Sequence, residues 1–391
     1  MIVTPLATHS SRAVRDTLTS HGWDEPRAES AASGLGPYAV VAEGLSEDVL
    51  AVLLRHGGSL GLEVITGDDW AIVAGSLSRI GALARPWGGP PELAAVAHQI
   101  GLALPSEPPP GWVTARGTVS LERPVILGIL NVTPDSFSDG GRFSNLDEAL
   151  AQADRLLADG ALLLDVGGES TRPGNPDPVP EDEELRRVIP VIEALVRRHP
   201  GLMLSVDTVK SGVARAAIDA GAAVINDVSA FRLDPAMATS AAELGAGVIL
   251  MHSRGTTSTM ATLDHAEYEG DVVAVVRREL SDAASKAVSG GIPDDKIVLD
   301  PGLGFAKTAE HNLLLTDRLA ELVALGRPVL VGPSRKRFLG SVTGREVAER
   351  DMATAAACVV AYERGATLFR VHNVALTRDA LAVAHAVRGS R

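Results

Sequence analysis

Eight short aliphatic runs, each followed by a stretch with helical periodicity, occupy the chain after residue 115. Runs such as PVILGIL and KIVLD are short and continuously apolar, which is typical of strands that are buried on both faces. The segment SNLDEALAQADRLLADGA places Leu146, Ala149 and Ala153 on one stripe and stops at Gly160, so it predicts an amphipathic helix. This alternation predicts a parallel sheet that is covered by helices.

The number of strand–helix units selects one α/β fold in particular. Eight units within roughly 275 residues fit a (β/α)8 TIM barrel. A doubly wound open sheet would also alternate strands and helices. We favour the barrel because the units are regular and because no GxGxxG motif follows the first strand.

The region before the barrel has a different pattern. The sequence LPSEPPPGW contains three consecutive prolines and is typical of a stiff, non-helical connector. Ahead of it, a strand, a helix capped by Ser46, a hairpin and a second helix predict a small α+β domain, for which a ferredoxin-like arrangement is one candidate. The predicted organisation is a small domain of undefined role at 1–104, a proline-rich linker at 105–115 and a TIM barrel at 116–391.

Charge and cysteine content narrow the classes of function. The chain has 36 basic and 49 acidic residues and a formal net charge of -13, which argues against a nucleic-acid or membrane-surface partner. The single cysteine, Cys358, excludes an internal disulfide and a cysteine-based zinc site. The sequence shows neither a secretory signal pattern nor an apolar run approaching the roughly 20 residues of a membrane span, so we expect a cytoplasmic protein.

Polar side chains follow the ends of nearly all the predicted barrel strands. In TIM barrels the chemistry gathers at the carboxyl ends of the strands, and helix capping alone does not require such varied side chains around one rim. We therefore predict a single site at this rim. In chain order its candidates are Asn131, Asp165, Glu169, Thr171, Arg172, Asp207, Asn226, Asp227, Met251, His252, Asp300, Ser334, Arg335, Lys336, Arg370 and His372.

The chemistry of the rim residues divides them into two groups. Asp207, Asn226 and Asp300 are hydrogen-bonding groups that suit a flat heterocycle such as an aminopyrimidinone, whose guanidine-like edge fits a carboxylate. A second group suits an anion or a metal-bound anion. Its members are Arg172, Lys336, Arg370 and His372, together with Asn131. The rim therefore predicts a small-molecule substrate that joins a heterocycle to an anionic group.

The motifs that contain these residues resemble those of the dihydropteroate synthase family. In the order of that family they are LGILNVTPDSFSDGGRF, LDVGGESTRPG, SVDT, INDVS, MHSRG, LDPGLGFAK, SRK and RVH, and the resemblance extends over roughly Pro124 to Val387. It implies an enzyme of folate synthesis that joins 7,8-dihydropterin-6-ylmethyl diphosphate to p-aminobenzoate and releases diphosphate. It also implies a homodimer and a target of sulfonamides.

The resemblance implies a binding role for most of the rim. The pterin would contact Asp207, Asn226, Met251, Asp300, Lys336 and Arg370. Diphosphate would be held by Asn131, Arg370 and His372. Asn131 would also ligate Mg²⁺, which suits a site with one protein oxygen plus substrate phosphates. The p-aminobenzoate pocket would be formed by Thr171, Arg172, Pro173, Phe305, Ser334 and Lys336.

The implied catalytic residues are Asp207, Asp300, Lys336 and Asp135, and Asp135 and Phe137 would belong to a mobile loop that closes over the substrates. We expect SN1-like chemistry, in which diphosphate departs first and leaves a cation stabilised by the pterin, Asp207 and Asp300. The arylamine then attacks without a strong general base. Two departures from the family pattern, Ala306 in place of Gly and Asn373 in place of Asp, remove none of these residues.

Other interpretations stay open at this point. Asp227 fits a cap of the following segment, His252 fits a satisfied core histidine, and Arg335 fits an ion pair with an acidic neighbour. At the level of function, the alternatives are a pterin methyltransferase domain linked to a corrinoid protein and a non-catalytic pterin-binding homologue. The former needs neither the cations of SRK and RVH nor an NVTPDSFSDGG loop, and release of diphosphate would exclude both.

Overall fold

The structure is a computed structural model of the chain. It describes residues 2–6, 11–34, 38–75, 77–83, 95–97, 100, 109–133, 142–169 and 178–389. The chain divides into two compact units. The first comprises Met1–Glu107 and Ala320–Gly326, and the second comprises Pro108–Leu319 and Arg327–Arg391.

The first unit contains a four-stranded sheet with the strand order β1–β2–β4–β3, in which all neighbours are antiparallel. Its strands are β1 (Ile2–Leu6), β2 (Tyr38–Glu43), β3 (Glu63–Thr66) and β4 (Trp70–Gly75). Its first four helices are α1 (Ser11–Ser20), α2 (Glu25–Gly34), α3 (Glu47–Ser59) and α4 (Leu77–Leu83). The unit therefore has α+β architecture.

Both faces of this sheet are buried, because the central strands carry apolar residues at consecutive positions. Side chains alternate between the faces, so that Val40 packs with Leu53 of α3 on one side. On the other side, Val41 and Ile72 pack with Leu18 of α1. Helices thus cover both faces, whereas helices in a ferredoxin-like arrangement lie on one face of the sheet. The helices between β1 and β2 were not anticipated from the sequence.

The second unit is a parallel eight-stranded barrel, which confirms the predicted TIM fold. Its strands are β7 (Val125–Asn131), β8 (Leu163–Gly167), β9 (Met203–Asp207), β10 (Val224–Asp227), β11 (Gly247–Met251), β12 (Ile297–Asp300), β13 (Leu330–Val331) and β14 (Leu368–Val371). They pair in the order β12–β11–β10–β9–β8–β7–β14–β13. A parallel bridge between Leu299 and Val329 joins the two edges and closes the barrel.

Helices follow the barrel strands along the chain. They are α5 (Arg142–Ala158), α6 (Glu181–Arg198), α7 (Ser211–Asp219), α8 (Met237–Leu244), α9 (Val272–Ser289), α10 (Ala309–Asp317), α12 (Arg337–Thr343), α13 (Asp351–Glu363) and α14 (Val374–Gly389); α11 (Ala320–Val323) belongs to the first unit. The predicted helix that stops at Gly160 is α5, and Gly160 has the positive φ of 104° that glycine tolerates. In the described parts of the chain, no helix is long and apolar enough to span a membrane.

A two-stranded hairpin, β5 (Gly111–Thr114) and β6 (Gly117–Ser120), closes the amino end of the barrel. Trp112 is fully buried and packs with Leu127, Leu163 and Ile249 of the barrel strands. Its indole Nε1 donates a hydrogen bond to the carbonyl oxygen of Lys296 at 2.9 Å. The predicted linker at 105–115 is therefore wrong for residues 111–114, which form a strand because burial of Trp112 stabilises them there.

Candidate active site

The carboxyl ends of the barrel strands place polar side chains at one level. Neighbouring strands pair Asn131 with Gly167, Gly167 with Asp207, and Asp207 with Asn226. Met251 and Asp300 pair in the same way between β11 and β12. Because register partners on parallel strands lie side by side, residues far apart in the sequence form one row around the mouth of the barrel.

Arg370 of β14 connects two of the strands across this mouth. Its Nε donates to Asp165 Oδ2 at 2.5 Å, and its other guanidinium nitrogen donates to Asp207 Oδ2 at 2.6 Å. Asn226 Nδ2 donates to the same Asp165 oxygen at 3.0 Å. Asp165 is fully buried, and its Oδ1 has no hydrogen-bond partner within the described ranges. The predicted residues Asp207, Asn226 and Arg370 are thus brought together, and Asp165 joins them.

Asp207 is a carboxylate with an unusual proton affinity. Burial raises its pKa to about 7, and the negative charge of Asp165 acts in the same direction while the Arg370 charge opposes it. The pKa of Arg370 is lowered by burial, but Asp165 and Asp207 outweigh that effect and raise it. Strongly perturbed groups of this kind cluster at functional sites. A cationic hydrogen-bond donor at the mouth would restore the charged form of Asp207.

Asp300 and Lys336 form the opposite wall of the mouth. Burial raises the pKa of Asp300 to about 6, although its Oδ1 accepts a hydrogen bond from Gly302 N at 2.7 Å. Burial lowers the pKa of Lys336 to about 7, and the Arg370 charge adds to this effect. The Lys336 ammonium lies 3.6 Å from the centre of the Phe305 ring, which is a cation–π contact.

An apolar wall lies next to Phe305. Met251, which was predicted to contact the pterin, packs with Val209, Val228 and Met260, and Phe305 contacts the same cluster. Methionine side chains adapt their shape to irregular neighbours, so this wall suits the face of an aromatic ligand. The mouth therefore has charged groups at its base and an apolar surface on one side.

His372, which was predicted to bind diphosphate, lies close to Ser334, which was predicted to line the p-aminobenzoate pocket. Ser334 Oγ and His372 Nδ1 are 2.9 Å apart, and His372 N donates to Ser334 Oγ at 3.1 Å. Beside them Asn373 Nδ2 donates to Asp351 Oδ2 at 3.0 Å. An aspartate at 373 could not donate that hydrogen bond, so the departure from the family pattern makes a specific contact here.

Asn131 lies at the carboxyl end of β7, on the rim of the mouth. Its Oδ1 is 3.7 Å from the position that a Cβ on Gly167 would take, so this oxygen lies beside the carboxyl end of β8. Among the residues with described structure, no three carboxylate, imidazole or thiol groups lie close enough to hold a metal ion by themselves. A single amide oxygen fits a cation that is held mainly by substrate phosphates and water.

Several residues of the predicted rim have structural roles. Asp227 accepts hydrogen bonds from Ser229 N at 2.7 Å and from Phe231 N at 3.2 Å, so it holds the following turn. Arg335 pairs with Asp351 at 2.6 Å. These contacts confirm the structural interpretations of Asp227 and Arg335.

Glu169 is another rim residue with an ion-pair partner. Lys210 Nζ contacts Glu169 Oε2 at 2.6 Å and Glu184 Oε2 at 2.5 Å. Glu184 belongs to the first turn of α6 and is fully buried. Lys210 therefore joins the end of β8 to the start of α6.

Sequence reasoning left two buried groups without a role. Asp165 was recognised as a rim residue, but its bonds to Arg370 and Asn226 depend on the closed barrel. Lys307 is the last residue of the LDPGLGFAK motif, for which no role was predicted, yet its ammonium is buried beside His252. Of the predicted site residues, Asp135, Phe137, Thr171, Arg172 and Pro173 lie outside the described residues.

Comparison with known proteins identifies the family of the barrel unit. A sequence model of the pterin binding enzyme family matches residues 127–372. The dihydropteroate synthase of Synechocystis sp. is 44% identical over 267 residues, which cover 68% of this chain and 91% of that protein. The Mycobacterium leprae enzyme is 45% identical over 271 residues, or 68% of this chain and 94% of that protein. The chain belongs to the dihydropteroate synthase family.

Solved structures of this family extend the comparison to three dimensions. The Xanthomonas albilineans dihydropteroate synthase with 4-aminobenzoic acid has a TM-score of 0.66 at 48% identity and covers 71% of this chain and 98% of its own. The same enzyme in complex with 7,8-dihydropteroate gives a TM-score of 0.64 at 46% identity, with 71% and 99% covered. These relatives support a dihydropteroate synthase of folate synthesis and do not favour a methyltransferase or a non-catalytic homologue.

Proposed function

We propose that the mouth of this barrel binds the dihydropterin over Asp207, Asn226 and Asp300 and that p-aminobenzoate enters beside Phe305, Ser334 and Lys336. One observation carries the proposal: the hydrogen-bonded network of Asn226, Asp165, Arg370 and Asp207. It holds a carboxylate and an amide in fixed positions at the depth where a flat heterocycle would sit. Thr171, Arg172 and Pro173 are assigned to the p-aminobenzoate pocket on the family resemblance.

Asp207 and Asp300 act on the pterin as acceptors of its N–H groups. Both are carboxyls with raised pKa values, and the guanidine-like edge of the pterin brings the positive character that favours their ionised forms. With Asp165 included, three carboxylates face Arg370 and Lys336. In their ionised forms, the carboxylates of Asp207 and Asp300 stabilise the cation that develops on the pterin when diphosphate leaves.

The reaction then proceeds in two covalent steps. The bond between the pterin methylene carbon and the diphosphate oxygen breaks first, and its electron pair leaves with diphosphate. The arylamine nitrogen next donates its lone pair to the methylene carbon, and the new secondary amine loses one proton to solvent. Arg370, His372 and Asn131 hold the leaving group, and the family resemblance assigns Asp135 to catalysis.

Mg²⁺ is proposed as the cation that accompanies diphosphate. Asn131 would hold it, and it would supply positive charge to the leaving oxygens. Titration calorimetry with dihydropterin diphosphate tests this assignment without turnover. We expect Mg²⁺ to tighten binding to the wild type and to have little effect on Asn131→Ala. An equal effect of Mg²⁺ on both proteins would contradict it.

The decisive test of the proposed function is diphosphate release with and without p-aminobenzoate. We expect turnover that depends on the arylamine in the wild type. In Asp207→Asn it should fall by about 10³-fold, because the amide lacks the charge that stabilises the cation. Tight pterin binding without any release of diphosphate would instead identify a non-catalytic homologue.

A homodimer is proposed from apolar residues on the barrel surface. Val342 is 62% exposed at the end of α12, and Met352 is 69% exposed at the start of α13. Val347, between them, is also exposed. A second copy of the chain would bury these three side chains. Light scattering should give the mass of a dimer for the wild type and of a monomer for Met352→Glu.

The proposed compartment is the cytoplasm, where the substrates of folate synthesis would be met. The buried thiol of Cys358, whose pKa burial raises, is compatible with a reducing environment. Cell fractionation with an antibody against the barrel would test this assignment. We also expect sulfonamides to inhibit this protein in competition with p-aminobenzoate, since the similar Yersinia pestis dihydropteroate synthase has been solved with a sulfonamide drug.

A further inference from the structure

Lys307 is a buried lysine that the proposed chemistry does not use. Only 3% of its surface is exposed, and burial lowers its pKa to about 7. Among the described residues, its ammonium contacts His252 Nδ1 at 2.9 Å, the carbonyl of Phe305 at 3.0 Å and the carbonyl of His252 at 3.4 Å. Burying an ammonium costs free energy, so we infer that these contacts have a function.

The contacts of Lys307 continue to the surface through His252. Burial lowers the pKa of His252 to about 4, so the ring is neutral. Because Lys307 donates to Nδ1, the ring proton lies on Nε2, which donates to Glu279 at 2.9 Å. Glu279 also accepts a hydrogen bond from Arg254 at 2.5 Å. His252 is therefore the satisfied buried histidine that the sequence allowed, with Lys307 as an unanticipated partner.

A second contact from the same network reaches the chain next to Phe305. Arg254 lies 4.1 Å from the centre of the Tyr268 ring, and the Tyr268 hydroxyl donates to the carbonyl of Ala306 at 3.0 Å. Consecutive carbonyls, those of Phe305 and Ala306, are thus held by Lys307 and Tyr268. Ala306 has a φ of 46°, in the left-handed region that alanine rarely adopts. The segment keeps a strained conformation that needs such fixed contacts.

The fixed segment presents Phe305 to the mouth of the barrel. The Phe305 ring packs against the cluster of Met251 and Met260 and lies beneath the Lys336 ammonium. A shift of the Phe305 backbone would move the ring and release the Lys336 contact. The backbone at 305 therefore controls one wall of the site.

We propose that Lys307 is a positioning residue for the arylamine substrate: its ammonium holds the carbonyl of Phe305 and so sets the ring that p-aminobenzoate packs against. This inference depends on the proposed placement of p-aminobenzoate beside Phe305. It gives Lys307 no contact with either substrate. The pterin binds over Asp207, Asn226 and Asp300, and the Lys307 charge acts on this group through space, by opposing the rise that burial causes in the pKa of Asp300.

Steady-state kinetics of Lys307→Met test the inference. We expect the KM for p-aminobenzoate to rise about tenfold, the size expected for loss of a hydrogen bond from a charged group. The KM for the pterin and kcat at saturating arylamine should change by less than about threefold. Equal rises in both KM values, or no rise for p-aminobenzoate, would overturn the inference.

Lys296→Met is the matched control, because its ammonium also donates to a backbone carbonyl, that of Gly245 at 2.6 Å, at the opposite end of the barrel. A loss of stability without a change in KM is expected there. A rise in the KM for p-aminobenzoate in this control as large as that of Lys307→Met would show a general effect of destabilisation and would also overturn the inference.

Two further variants keep the inference testable. If Lys307→Met does not fold, Tyr268→Phe removes only the hydroxyl that holds Ala306, and a selective rise of about threefold in the KM for p-aminobenzoate is expected; no rise would overturn the inference. Phe305→Leu separates the two claims. If it leaves that KM unchanged, the proposed placement of the arylamine is wrong. If it raises that KM and Lys307→Met does not, only the role of Lys307 is overturned.

Discussion

The two ends of the barrel are built from opposite kinds of side chain. At the amino end, Trp112 of the hairpin packs on aliphatic residues such as Leu127 and Leu163. At the carboxyl end, Asp165, Asp207 and Arg370 are hydrogen-bonded to one another. The amino end continues the apolar core of the barrel, whereas the carboxyl end contains charged side chains that are largely shielded from water.

The energetics of the two ends differ in the same way. Apolar burial at the amino end stabilises the fold in rough proportion to the area removed from water. At the carboxyl end, burial raises the pKa values of Asp207 and Asp300 and lowers that of Lys336, so that the neutral form of each side chain is favoured. The amino end therefore stabilises the fold. The carboxyl end holds ionisable groups whose burial costs free energy, and a bound ligand of opposite charge would reduce that cost.

Arg370→Met should break the charged end and have the largest effect on activity. It leaves the fully buried Asp165 and its neighbour Asp207 without their cation. We expect kcat/KM for the pterin to fall by at least about 10³-fold. The control is Arg378→Met, an exposed arginine paired with Asp379, which should change kcat/KM by less than about twofold. A folded Arg370→Met protein with near wild-type activity would refute the proposed network.

Trp112→Ala should break the apolar end and leave the chemistry intact. Removal of this fully buried indole should lower the free energy of unfolding by about 3–5 kcal/mol. Denaturant titration measures that loss, and Trp112→Phe should show a smaller one. The KM values of the folded protein are expected to stay unchanged, because the hairpin lies at the end opposite Asp207. A selective rise in the KM for the pterin would show that the two ends are coupled.

Asp300→Asn should change how the stability of the protein depends on pH. Because burial raises the pKa of Asp300 to about 6, the folded wild type binds more protons than the unfolded chain between about pH 4 and pH 6. Its stability therefore falls as pH rises through this window. The variant lacks this loss, which is on the order of 2 kcal/mol. Thermal melts of both proteins at about pH 4.5, inside this window, and at about pH 7, above it, measure the difference.

The control for that experiment is Asp294→Asn, since Asp294 precedes the amino end of the same strand and is 61% exposed. Its effect on stability should be nearly the same at both pH values. If Asp300→Asn and the wild type lose equal stability as pH rises, the raised pKa of Asp300 is wrong.

Ala306→Gly should give the smallest effect. Glycine removes the cost of a left-handed alanine at φ 46°, about 1 kcal/mol, but it loses more backbone entropy on folding, roughly 0.5–1 kcal/mol. The two terms nearly cancel, so we expect a change in unfolding free energy within about 0.5 kcal/mol. A destabilisation above about 2 kcal/mol would show that the alanine methyl makes an essential packing contact.

The sequence predicted the barrel because its signals are local. Each strand is a short aliphatic run, and each helix has its own stripe and stop, as Gly160 shows for α5. The rim was predictable for the same reason, since the position of Asp207 or Asn226 follows from where its strand ends. The strand at residues 111–114 was not predicted, because no local sequence signal distinguishes a tryptophan in a loop from one that is buried against barrel strands.

Pairings between distant residues were beyond the sequence. Asp165 and Arg370 are 205 residues apart, and Lys307 and His252 are 55 residues apart. Which of several charged side chains become partners depends on the register of the strands and on closure of the barrel.

What the sequence determined by itself was the set of strands, helices and polar side chains at their ends, because periodicity and turn chemistry act over a few residues. The tertiary structure alone decided which of those side chains bond, which are buried and how far their pKa values move. The physical reason is that hydrogen bonding and desolvation depend on distances of a few ångströms. Only the closed barrel brings Asp165, Asp207 and Arg370 within those distances.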